Sequence, residues 1–276
     1  MNIPKYTEQY AKELRRRKYS ENTIKNYVSC IALFLSKMEK EHPMHVNETD
    51  IKDYLGSFPE PNTQRSSHSA IKRFYEICLG QKDKFKFIPY CKKSNKLPIV
   101  LSEDELQKMF DACANLKHKA IFALLYACGL RVSEVISLKI KDIDSSRMVI
   151  NILQAKGRKD RQVMLPESLL KLLRSYYKQY KPDEYLFNGQ NSKQYSSRSI
   201  NEFLKQVAVK ANVGNKRIYA HLIRHCTFTH MLENGVDLTL IQKVAGHSSI
   251  KTTQGYTHIS NSLISRTYSP LQSIQL

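Results

Sequence analysis

Apolar residues recur three and four positions apart through the first ninety positions, the period of amphipathic helices packed on one core. Ile24, Tyr27, Val28, Ile31, Leu35 and Met38 share one helical face behind Ser20, whose hydroxyl is a ready N-cap. A helix over residues 4 to 17 precedes it and ends in the basic run Arg15-Arg16-Arg17-Lys18. A third helix is expected behind a Thr49 cap. A fourth runs from Thr63 to Leu79, with Ile71, Phe74, Tyr75 and Cys78 on one face and Gly80 ending it.

The pattern breaks over Cys91–Pro98, which is polar, basic and closed by a proline that cannot continue a helix. Ser102-Glu103-Asp104-Glu105 is then a capping box opening a helix with Leu106, Met109 and Phe110 inward. Ala120 to Cys128 is almost wholly apolar and belongs in a core; Gly129 stops it, and Ser133 is the expected cap of a helix from Glu134 to Leu138. Met148–Ile152 and Arg161–Leu165 read as two strands around a turn at Gln154–Asp160. Helical spacing returns at Ser168–Tyr180, Ser197–Ala211, Leu222–Asn234 and Asp237–Ala245, the last two joined by Gly235. The expected fold class is mainly α with a small antiparallel β-sheet, in two domains. Residues 1–93 form a helical domain, 94–100 a linker, 101–259 an α+β domain and 260–276 a tail.

Composition narrows the partners. The 44 Lys and Arg against 25 Asp and Glu give a net charge of +19, more than solubility needs, so a polyanion is expected. Residues 1–100 hold 19 basic and 11 acidic side chains, and residues 101–276 hold 25 and 14, so both halves are positive. That distribution suits a C-shaped clamp around double-stranded DNA, although charge alone does not separate DNA from RNA or anionic lipid. No stretch reaches membrane-spanning length and no apolar secretory segment stands at Met1, so a cytoplasmic, reducing location without membrane association is expected. The six cysteines are scattered without a C-x-x-C pair and read as small core hydrophobes. His221, His225 and His230 lack the spacing of a metal site, so neither metal nor cofactor is expected.

The chemistry concentrates late in the chain. His221 and Arg224 are three apart in Ala220-His221-Leu222-Ile223-Arg224-His225, which puts both on one helical face with joint reach to one phosphate. Gly246-His247-Ser248-Ser249 and Thr252-Thr253-Gln254-Gly255-Tyr256-Thr257-His258 follow, and Gly129-Leu130-Arg131-Val132-Ser133-Glu134 and Ala155-Lys156-Gly157-Arg158-Lys159 come earlier. In these five motifs, in this order, the chain resembles the tyrosine recombinase and integrase family across about residues 100 to 260. The residue before the tyrosine, commonly aliphatic in that family, is here Gly255.

The resemblance implies a catalytic domain in which Arg131 and Arg224 grip the scissile phosphate, and planar guanidinium forks do match its nonbridging oxygens. It further implies Tyr256 as nucleophile, Lys156 as general acid for the leaving 5′-oxygen, His221 as proton acceptor and His247 as an added phosphate ligand. Glu134 is expected to orient basic groups, and His225 to be a buried helix residue. The function implied is site-specific DNA recombination through a 3′-phosphotyrosine, by a homo-tetramer on two DNA sites in which residues 260–276 cross to a neighbouring protomer. A type IB topoisomerase-like nicking and closing enzyme and a non-catalytic DNA-binding regulator are the alternatives.

Overall fold

The structure is a computed structural model that describes residues 1–92, 99–153, 160–190, 192–213, 216–247 and Thr253. The chain divides into two compact units, Met1–Lys96 and Leu97–Leu276. The linker expected at 94–100 lies largely outside the described residues, as does the tail at 260–276.

The first unit is helical. Helices α1 (Ile3–Arg16), α2 (Glu21–Lys37), α3 (Glu48–Gly56) and α4 (Pro61–Cys78) close on a core that includes Tyr10, Leu14, Ile31, Phe34, Phe74 and Tyr75. Two of those tyrosines are fully buried, so their hydroxyls need partners: Tyr10 donates to the Ala70 carbonyl and Tyr75 to that of Pro43, each at 2.8 Å. Ser20 caps α2 as expected, its side chain accepting from the Thr23 N–H. Helix α3 corrects the sequence reading: its cap is Asn47, in a reciprocal capping box with Asp50, and Thr49 stands inside the first turn. Helix α4 starts at Pro61, two residues early, because proline's missing N–H costs nothing in a first turn. Within the basic run, Arg15 pairs with Glu21 and Arg16 with Glu13 on the open surface, where such pairs contribute little.

The second unit is built around α6 (Leu116–Ala127), whose Ala120, Ile121, Phe122, Leu124 and Leu125 are buried. Its polar first turn, capped by Asn115, lies upstream of the apolar run that marked the helix in the sequence. Helices α5 (Glu103–Ala112), α7 (Val132–Ser137), α8 (Glu167–Tyr180), α9 (Ser197–Lys210) and α10 (Ala220–Glu233) surround it, and α11 (Leu238–Ala245) packs against α10. The capping box at Ser102 is present. Strands β1 (Ile143–Asp144), β2 (Val149–Ile152) and β3 (Arg161–Met164) form an antiparallel sheet in that order. In the β2–β3 pair Ile150 faces Val163 and Ile152 faces Arg161. Strand β1, only two residues long, has no alternation by which to be recognised and was missed. Helix α7 begins with Arg131 at the cap position instead of Ser133, because Glu134 folds back to accept the Arg131 N–H at 2.8 Å.

Candidate active site

The site forms where four segments of the second unit meet: the Gly129–Glu134 turn, the start of β3, helix α10 and the C-terminal end of α11. Helix α10 is buried on nearly every side, and Arg224 rides it into the interior with 1% of its surface exposed. A buried guanidinium must be fully engaged. Arg224 donates to the carbonyls of Gly129 and Ala245, lies 4.8 Å above the Phe228 ring, and approaches His247 Nε2 at 3.4 Å.

Glycine is required at two of these turns. Gly129 ends α6 at φ +56, and a Cβ there would lie 2.6 Å from Phe228, the ring on which Arg224 rests. Gly246 ends α11 at φ +60, and its left-handed turn lets the His247 N–H close back on the Gln242 carbonyl at 3.2 Å. The reversal sets His247 beside Arg224. Each glycine also offers its carbonyl to an arginine: Gly129 to Arg224, and Gly246 to Arg131 at 3.1 Å.

The last carbonyls of α11 thus collect three guanidiniums. Val244 accepts from Arg161 at 2.9 Å, Ala245 from Arg224 and Gly246 from Arg131. Helix-end carbonyls lack intrahelical donors and carry the negative end of the helix dipole, so cations gather there. Glu134, 6% exposed, balances the cluster: Arg161 reaches both its oxygens at 2.7 and 2.8 Å, and Arg131 reaches one at 2.8 Å. Burial alone would raise the Glu134 carboxyl, but the hydrogen bonds and charge of Arg161, with the Arg131 N–H, overcome it and hold the pKa at about 2.

The histidines are kept neutral. His247 is pushed down to about 4, first by burial and then by the charges of Arg224 and Arg131. Its Nδ1 lies 3.0 Å from the hydroxyl of the buried Thr253. With Nε2 accepting from Arg224, the ring proton belongs on Nδ1 and points at Thr253. His221 stands at the rim, its pKa lowered by the protein packed on its inner side and by Arg224 and Arg131. Its ring meets that of His225 edge-on at 4.5 Å, and burial holds His225 at about 4. His230, the third of the sequence cluster, is drawn away to the Tyr126 hydroxyl at 2.9 Å.

Of the six residues nominated from the sequence, Arg131, Arg224, His221 and His247 are brought together; Lys156 and Tyr256 lie outside the described residues. Glu134 orients two arginines, as its position suggested. Arg161 was missed. The signal was in the alternation of β3: Arg161 has the parity of Val163 and Leu165, both buried, so it points inward with them.

Residues 100–262 match the model of the phage integrase family, and residues 7–84 that of the phage integrase N-terminal SAM-like domain. A putative integrase/recombinase of Sinorhizobium fredii is 35% identical over 95% of this chain and 87% of its own. The tyrosine recombinase XerC of Staphylococcus haemolyticus is 30% identical over 91% of each chain. The chain belongs to the phage integrase family of tyrosine recombinases. The crystal structure of a lambda integrase tetramer bound to a Holliday junction shares the fold, with a TM-score of 0.78 at 15% identity over 92% of this chain and 76% of that one. In this recombinase the five motifs read from the sequence, including those of Lys156 and Tyr256, all fall inside the matched 100–262 region.

Proposed function

We propose that the recombinase cleaves and rejoins double-stranded DNA at specific sites, with Arg131 and Arg224 holding the scissile phosphate, Tyr256 attacking it and Lys156 releasing the 5′-oxygen. The observation that carries this reading is the convergence of Arg131, Arg224 and His247 on the end of α11, beside His221. Two oriented guanidiniums and a neutral histidine suit a transition state that gains negative charge on nonbridging oxygens.

The Tyr256 oxygen forms a bond to phosphorus as the bond to the 5′-oxygen breaks, leaving a 3′-phosphotyrosine and a 5′-hydroxyl. The phenol proton passes to His221, which its lowered pKa leaves neutral and able to accept. The leaving oxygen takes a proton from Lys156. Reversal by a 5′-hydroxyl rejoins the strand without ATP, since the phosphodiester energy is kept in the tyrosyl ester. His247 serves as a phosphate ligand once a proton occupies Nε2, and the anion favours that by adding an acceptor and offsetting the arginine charge. No step calls for a metal or cofactor.

Recombination would proceed in a homo-tetramer on two DNA sites, with residues 260–276 crossing to a neighbouring protomer and the enzyme acting in the cytoplasm; the lambda integrase structure of the same fold is a tetramer bound to a Holliday junction. A nicked suicide duplex, which loses its short 5′-hydroxyl fragment after cleavage, tests the chemistry. Wild-type protein should become covalently attached and Tyr256→Phe should bind equally but form no adduct. Adduct at wild-type yield from the variant would place the nucleophile elsewhere.

A further inference from the structure

We propose that Arg161 is a positioning residue for strand cleavage: as the resident counter-ion of Glu134, it keeps the charge of Arg131 available to the phosphate. This rests on the cleavage reading given above. Arg161 is 9% exposed, and its three nitrogens are all spent inside the protein, Nη1 and Nη2 on the two Glu134 oxygens and Nε on the Val244 carbonyl. Three of its five N–H donors are thus committed within the protein, two of them to the carboxylate it neutralises. Arg131, by contrast, gives Glu134 one guanidinium nitrogen, gives Gly246 another, and keeps 22% of its side chain exposed.

The charge count explains the division. One carboxylate stands against two guanidiniums, so the cluster keeps a net positive charge, and the forked pair with Arg161 engages both carboxylate oxygens while Arg131 spends one guanidinium nitrogen and its backbone N–H on them. Without Arg161, Glu134 would keep only its ion pair with Arg131 among the described residues, and that pair would neutralise the charge meant for the phosphate. Arg161 also opens β3, five positions after Lys156 in the sequence, and its bond to Val244 ties that strand to the end of α11. Gly246 makes room for it: a Cβ there would lie 3.1 Å from Arg161 Cδ.

Arg161→Gln, Glu134→Gln, the double variant and Arg161→Lys, each compared with wild type on the nicked duplex, test the assignment. Arg161→Gln should slow single-turnover adduct formation by about tenfold or more while duplex affinity, set by many phosphate contacts, changes by less than about twofold. Removing the carboxylate charge as well, in Glu134→Gln/Arg161→Gln, should restore most of the lost rate, because Arg131 is then no longer neutralised. Loss of packing alone would not be repaired by a second substitution. Arg161→Lys, which keeps the charge without the fork, should fall between wild type and Arg161→Gln, and it carries the test if Arg161→Gln does not fold. A wild-type rate in Arg161→Gln, in Arg161→Lys where that variant carries the test, or a double variant no faster than the single one, would overturn the inference. Failure of wild-type protein to form any adduct would instead overturn the cleavage reading.

Discussion

Glu134 holds a full negative charge in the interior because two guanidiniums and a backbone N–H face it, and that arrangement has a pH signature. Its pKa is about 2 in the folded protein against 4.5 for the free side chain, a difference equivalent to roughly 3 kcal/mol. A depressed carboxylate stabilises the fold fully above the unfolded value and loses that contribution as pH falls toward the folded one. Wild type should therefore be more stable than Glu134→Gln by roughly 3 kcal/mol above about pH 5, with the gap closing toward about pH 2. Denaturant unfolding of both proteins across that range measures it, and a gap independent of pH would exclude the ion pairs as its source. Gly129 sets a second residue-scale test. Alanine there meets both a left-handed backbone at φ +56 and Phe228 at 2.6 Å, so Gly129→Ala should cost about 3 kcal/mol and lower adduct yield by displacing the ring beneath Arg224. Gly80→Ala, at φ +70 in open space, isolates the backbone part at about 1 kcal/mol. Equal losses of stability in the two variants would mean that Phe228 simply moves aside.

Helix termini decide much of the local structure, and the first unit offers a direct comparison of two cap assignments two residues apart. The sequence reading put the α3 cap at Thr49, whereas the structure puts it at Asn47, whose side chain accepts from the Asp50 N–H at 2.8 Å while Asp50 reaches back to the Asn47 N–H at 2.9 Å. Asn47→Ala should thus destabilise the protein by about 1 kcal/mol and Thr49→Ala by no more than a few tenths, read from denaturation midpoints. The reverse order would restore the Thr49 cap. At the active site the decisive terminus is the end of α11, where Val244, Ala245 and Gly246 present carbonyls to Arg161, Arg224 and Arg131. A helix of eight residues is a weak element by itself, and here its end is held by charge-assisted hydrogen bonds from three distant segments. Short elements were the least legible ones for the same reason: β1 and the first turn of α6 carry too little periodicity to be read, and tertiary pairing alone makes them regular.

Across the whole molecule, a net charge of +19 divided between both halves gives the proposed DNA affinity a measurable salt dependence. A duplex held by six or more phosphate contacts should give a log-log slope against salt steeper than about −5, whereas a nearly flat line would contradict binding by both units. The sequence by itself determined the two helical patterns, the interruption between them, the small sheet, and the order of motifs that named Arg131, Arg224, His221 and His247. These are local properties: periodicity reports which face of an element is buried, and a motif reports residue types at fixed spacing. It also held the parity that turns Arg161 inward, but parity assigns a face without naming what that face meets. Only the tertiary structure decided that Arg161 meets Glu134 and that the glycine turns at 129 and 246 lend their carbonyls to arginines 95 and 115 residues away. Such contacts arise from packing distant segments around a shared charge, and the energy of burying that charge depends on all of them at once.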